Sequence, residues 1–189
     1  MTTPSYDAPP PALGAVIEEG RGSLAFALIH GEALVTAAVW ALGESGVTPV
    51  DFSTEWAGLQ ASEEPFVLHD ALCPMTPPAF IAECVARSVA TGAVVVGVRA
   101  VTDTVKVLEG DRLAETVDRA GLVTVCSPVV LPAAVVAELE ALPATDFAEL
   151  VEVLEGRFPV ERVEAPTEAR RVSSEDDVAV LAALTEPIR

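Results

Sequence analysis

The apolar run Ala93-Val94-Val95-Val96-Gly97-Val98 limits what this chain can fold into more than any other feature. It carries no polar side chain and is mostly β-branched valine, so it reads as a strand buried on both faces. The preceding segment, Pro77 to Ala90, places Phe80, Ile81, Cys84, Val85 and Val89 on one helical face, with prolines in the first turn and Thr91-Gly92 as the stop. Ahead of that helix lies Pro65 to His69, another strand, which ends in Asp70. Strands alternating with helices predict an α/β domain with a mostly parallel sheet.

The remaining segments fit that plan. Ala12 to Ile17 and Phe158 to Val163 read as strands, and Glu32 to Leu42, Pro132 to Leu142 and Thr145 to Leu154 as helices. Ser173 to Leu184 reads as a last helix, with Ser173 and Ser174 three residues before Asp176 and Asp177 as a capping signature. Val101 to Ser127 alternates in two arms around Glu109-Gly110-Asp111 and predicts a protruding hairpin. Gly46 to Glu64 is weakly patterned. Residues 1–11 are Pro-rich and predict a disordered leader, which leaves 12–189 as a single domain. Trp40 is expected in the core, and Trp56 would hint at a partner surface if exposed.

Charge narrows the partners. The formal net charge is −18, with 11 Lys and Arg and Lys106 the only lysine. Such a surface repels polyanions, which argues against nucleic acid and anionic membranes as partners. A phosphorylated ligand can be held only where cations are concentrated. Mean hydropathy is high at +0.44, but no apolar run is long enough to span a bilayer. Cys73, Cys84 and Cys126 lack metal-ligand spacing and read as buried thiols, so a soluble, cytoplasmic protein is expected.

In parallel sheets, ligands collect where strands end. That singles out Glu18 to Ser23, His69 to Cys73 and Thr102 to Lys106. A carboxylate directly after a buried strand, such as Asp70, can hold a divalent cation, although caps and turns use the same residue more often. His30 and His69 are the only histidines, and Ser23 has no evident base partner, so a hydrolase triad is not expected.

The order of four motifs is more specific. Leu68-His69-Asp70-Ala71-Leu72-Cys73-Pro74 is followed by Val101-Thr102-Asp103-Thr104-Val105-Lys106, then Thr116-Val117-Asp118-Arg119-Ala120-Gly121-Leu122, then Cys126-Ser127-Pro128. From about Phe66 onward the chain resembles the 2-C-methyl-D-erythritol 4-phosphate cytidylyltransferases, which read V-H-D-A-A-R-P, P-V-T-D-T-I-K, T-V-D-R-x-x-L and Q-T-P-Q. Arg170-Arg171-Val172-Ser173-Ser174-Glu175-Asp176 resembles the family's N-I-K-V-T-x-P-E-D. The resemblance implies a three-layer Rossmann-like nucleotidyltransferase fold with a hairpin arm. It implies Asp70 as a metal ligand for Mg2+, and Thr104, Arg119 and Ser127 as sugar-phosphate contacts. It also implies Lys106 and Arg171 as catalytic cations, and a homodimer through the 101–127 arm. Cys73 stands where the family's H-D-A-A-R carries its arginine.

The amino-terminal half departs from the pattern. The family opens with A-A-G-x-G-x-R and then Pro-Lys, a loop whose N–H groups and cations hold a triphosphate. Here Gly20, Gly22 and Ser23 mark the nucleotide loop, but Glu18 and Glu19 replace the small residues and Leu24 replaces the arginine. The Pro-Lys stretch has no counterpart, Arg21 falls at a variable position, and Gly46 to Glu64 contains no Gly-Gly-x-x-Arg-x-x-Ser motif for the cytosine. A first half truncated in this way predicts impaired or absent CMP transfer, and a binding or regulatory role. The alternative is an active enzyme with an altered nucleotide or sugar phosphate.

Overall fold

The computed structural model describes residues 9–51, 53–102 and 104–186. Most of the expected leader, residues 1–8, and Asp103 lie outside the described residues.

The strands are β1 (Leu13–Ile17), β2 (Leu28–Ile29), β3 (Glu32–Ala33), β4 (Thr48–Pro49), β5 (Phe66–Asp70), β6 (Val94–Ala100), β7 (Lys106–Glu109), β8 (Arg112–Thr116), β9 (Val123–Leu131) and β10 (Val160–Glu164). The helices are α1 (Leu34–Glu44), α2 (Trp56–Ser62), α3 (Pro78–Thr91), α4 (Ala133–Glu138), α5 (Phe147–Glu155) and α6 (Glu175–Leu184). The main sheet runs β10-β6-β9-β5-β1-β4. β9 is antiparallel to both β5 and β6, and the other five strands share one direction.

Side chains on β5 show how the layers form. Phe66 and Leu68 enter a core with Val94, Val96, Val129 and Leu131, which is roofed by α4 and α5. Val67, one residue out of phase, enters the opposite core with Val95 and Val130 under α1 and α3. A period of two with both phases apolar is what a sheet covered on both faces requires. A smaller cluster packs Val178 and Leu181 of α6 onto Ile29 and Leu34.

Several expectations needed correction. The hairpin is shorter than 101–127: its two arms are β7 and β8, and from Val123 the chain enters the middle of the sheet as β9. Pro128 lies within that strand, although proline is uncommon in a central strand. The register between β6 and β9 shifts between Val96 and Val98, where Gly97 faces Ser127. The expected helix Pro132 to Leu142 ends at Glu138.

Trp40 is 63% exposed rather than in the core. Trp56 is instead half-buried. Its Nε1–H donates to the carbonyls of Leu139 (2.7 Å) and Val136 (3.2 Å), and its ring meets Phe66 edge-on at 6.0 Å. The α6 cap is as read: Ser174 Oγ accepts from Asp177 N, and Asp177 Oδ2 accepts from the backbone N–H and hydroxyl of Ser173. Among the described residues, no helix is long and apolar enough to cross a membrane.

Candidate functional site

Asp70 is the last residue of β5, between β1 and β9, and is 1% exposed. Ser127 of β9 fixes its backbone, with Ser127 Oγ accepting from Asp70 N at 2.6 Å. Oδ1 of Asp70 accepts from Arg21 Nε at 2.8 Å and from Leu72 N at 2.9 Å, and Oδ2 accepts from Arg171 Nε at 3.0 Å. Two guanidinium groups from opposite ends of the chain therefore meet on one buried carboxylate.

Arg21 is held on every side. Its Nη groups donate to Glu19 O (3.2 Å) and Thr145 O (2.8 Å), and its guanidinium carbon lies 5.7 Å from the Phe147 ring centroid. It is 8% exposed. The first turn therefore carries a cation, contrary to the sequence reading, but that cation faces inward. Gly20 and Gly22 have φ of +75° and +60°, and an added Cβ would meet nothing at either. Left-handed backbone, not crowding, is what requires glycine there. The arrangement lets Arg21 turn under the loop while Glu18 and Glu19 stay exposed. With Asp51 they line a cleft of about 550 Å³ beside the turn.

The other sequence candidates do not all gather here. Ser23 is exposed in a 3-10 turn. Thr104 and Lys106 are exposed at the base of the arm, where Lys106 pairs in register with Thr116. Arg119 donates from Nη1 to the carbonyl of Thr102 in its own chain. A group that sequence reasoning missed lies beside Arg171: a polar pocket of about 210 Å³ lined by Arg99 and Arg170 as well.

His69 is fully buried, and neither ring nitrogen has a hydrogen-bond partner. Burial pushes its pKa down to about 4, against the opposing pull of Asp70. It is a neutral core imidazole, out of reach of a substrate. Burial also raises the Cys73 thiol, and raises Cys84 to about 12, so neither is a nucleophile.

Asp70 fits a divalent cation poorly. Three of its roughly four acceptor positions are occupied by Arg21, Leu72 and Arg171. A cation approaching Oδ2 would displace one guanidinium and be repelled by another. Among the described residues, no group of three His, Cys, Asp or Glu could hold a metal ion. A cleft of about 630 Å³ with an apolar lining, between Trp40, Met75 and Pro77, is lined by none of the residues that meet at Asp70.

A six-stranded α/β sheet with a hairpin arm and a charged cluster at its strand ends defines a nucleotidyltransferase-type fold. The family model for 2-C-methyl-D-erythritol 4-phosphate cytidylyltransferase (IspD) matches residues 51–186, and the chain belongs to that family. It is 43% identical over 77 residues to the enzyme of that name from Corynebacterium efficiens, a match covering 39% of this chain and 31% of the relative. It is 28% identical over 139 residues to that from Bacillus licheniformis, covering 69% of this chain and 59% of the relative. The matches thus span under two thirds of either relative's length. The crystal structure of the Thermus thermophilus enzyme superposes with a TM-score of 0.72 at 21% identity, covering 92% of this chain and 98% of that one. The shared fold is the one the four motifs implied.

Proposed function

We propose that this chain binds a phosphorylated small molecule at the strand ends of its sheet, transfers CMP slowly or not at all, and serves a binding or regulatory role beside its family's isoprenoid chemistry. The observation that carries the reading is the double clamp on Asp70. Arg21 commits three of its five N–H donors to Asp70, Glu19 O and Thr145 O, and at 8% exposure its guanidinium is turned inward, away from a triphosphate on the outer side of the turn. The exposed side of the same turn presents Glu18 and Glu19. Losing one preorganised donor costs roughly 100- to 1,000-fold in rate, and carboxylates facing phosphates add repulsion.

The assay is pyrophosphate release from CTP with methylerythritol phosphate and Mg2+. Turnover below about one thousandth of ordinary enzyme rates of roughly 1–1,000 s⁻¹ is expected. Ordinary turnover would overturn the reading.

One observation favours the second reading, transfer of another nucleotide or onto another sugar phosphate: Ser127, Asp70 and Arg171 remain assembled as one network. Thermal shift against a panel of nucleoside triphosphates with Mg2+ separates the two, because the second reading requires at least one stabilising nucleotide. A homodimer through the arm is part of the proposal. Its support is that Leu108 and Leu113, paired across the hairpin, are 67% and 72% exposed.

A further inference from the structure

We infer that the cleft between α1, the β2–β3 turn and the segment leading into α3 docks a partner protein through an extended, proline-rich segment that also carries arginine or lysine. None of the residues that meet at Asp70 lines this cleft, so docking here is independent of CMP transfer.

Trp40, 63% exposed, lines the cleft with Pro74, Met75, Pro77 and Pro78. Aromatic-lined grooves of this kind select polyproline II segments, whose conformation is restricted before they bind. Such segments make no internal hydrogen bonds, so their carbonyls are free to accept. The indole N–H of Trp56 is taken by Leu139 and Val136, whereas that of Trp40 has no acceptor among the described residues. Trp40 therefore offers a stacking face and a donor together. The rim is already fixed. His30 Nε2 lies 2.7 Å from Thr185 Oγ1, and Thr76 Oγ1 donates to Cys73 O at 2.8 Å. A rim held in this way needs little ordering when a ligand arrives.

A second cleft, of about 820 Å³, adjoins the first at Pro78, which lines both. Pro9 and Pro10 of the chain itself line this second cleft, with Ala79 and Ala82 of α3. Pro9 comes so near the end of α1 that a Cβ on Gly46 would lie 2.8 Å from Pro9 Cγ. Prolines outside regular secondary structure thus already pack against this helix pair. Two clefts joined at one residue suit an extended chain better than a compact small molecule.

Charge selects the partner. Glu32 lines the first cleft, Glu44 and Glu83 line the second, and no lysine or arginine lines either. Glu83 is paired with Arg87 at 2.8 Å, but Glu32 and Glu44 have no ion pair among the described residues. A second copy of a chain with net charge −18 is repelled from such a surface, and a basic segment is attracted to it. Every third residue of polyproline II lies on one edge. A Pro-Pro-Arg repeat therefore presents proline to Trp40 and arginine to the carboxylates.

The test is calorimetric titration of the full chain, at physiological salt, with three synthetic peptides: four repeats each of Pro-Pro-Arg, Gly-Ser-Arg and Pro-Pro-Glu. The Pro-Pro-Arg peptide is expected to bind about tenfold or more tightly than the equally charged Gly-Ser-Arg peptide, and the Pro-Pro-Glu peptide not at all. Trp40→Ala is expected to weaken binding about tenfold or more, as truncation of an aromatic anchor does. Glu32→Gln is expected to weaken it about two- to fivefold. Glu152→Gln, an exposed position on α5 outside both clefts, is expected to change nothing. Melting temperatures check that the variants remain folded. No binding of the Pro-Pro-Arg peptide, equal binding of either control peptide, or binding unaffected by Trp40→Ala would each overturn the inference. So would equal losses in Glu32→Gln and Glu152→Gln, which would mean charge without a site. Self-association abolished by Trp40→Ala, in place of peptide binding, would assign the cleft to a second copy and overturn it as well.

Discussion

Arg21 Nε and Asp70 Oδ1 stand 2.8 Å apart, although 49 positions separate the two residues in sequence. The pair ties the turn after β1 to the end of β5. It gives a family position implied to hold a metal a different occupation, because the carboxylate instead supports two guanidinium groups. Arg171 reaches the opposite oxygen from the segment before α6, so one buried carboxylate joins three distant parts of the chain.

Removing Arg21 tests that support. Arg21→Met leaves a 1%-exposed carboxylate with Arg171 as its remaining cation. Breaking a buried pair from one side costs about 3 kcal/mol or more. Urea denaturation should show this as a lower midpoint at unchanged slope. A variant within about 0.5 kcal/mol of the parent would mean the clamp is not formed in solution.

His69 should leave a pH signature. Its folded pKa is lowered from 6.5 to about 4, so the unfolded chain takes up a proton that the fold refuses. Stability from this residue is therefore complete above pH 6.5, falls as the pH drops towards 4, and levels off below that. The loss is about 3 kcal/mol across the window, from the size of the shift. His69→Phe should flatten that part of the pH–stability curve relative to the parent. Parallel curves would refute the assignment.

Gly97 should tolerate no side chain. A Cβ there would lie 2.6 Å from the carbonyl oxygen of Ser127 and 3.3 Å from Phe80. Gly97→Ala must push β6 and β9 apart, at about 1–3 kcal/mol. It should also loosen the Ser127 hydroxyl that holds Asp70. Gly121→Ala, where an added Cβ meets nothing within 4 Å, is the control. Equal stability of the two variants would contradict the register described for these strands.

The arm can be tested by its apolar face. Leu108→Glu combined with Leu113→Glu places two carboxylates on exposed hairpin positions. Light scattering after size exclusion should show a dimer for the parent and a monomer for the double variant, with little change in melting temperature. A monomeric parent at every concentration would remove the arm as an interface.

Much of the fold was legible because local rules acted alone. The consecutive valines of β6, Val94 to Val96, leave no amphipathic alternative, and α3 announced itself by spacing and by its prolines. The Ser174–Asp177 cap was readable because its partners lie three residues apart. β9 was not legible: it contains Pro128, which is uncommon in a central strand, and only β5 and β6 on either side show that it belongs there. Trp40 is exposed where the core was expected, because helical spacing places a residue on a face without telling which face is covered.

The amino-acid sequence by itself determined the α/β plan, the family, and the replacement of small residues by Glu18 and Glu19 at the first turn. These depend on residue type and on neighbours a few positions away. Only the tertiary structure decided that Arg21 turns inward onto Asp70, and that Arg99, Arg170 and Arg171 share one pocket. The direction of a guanidinium is set by which carboxylate or carbonyl lies within about 3 Å of it, and those partners come from strands and loops far away in the chain.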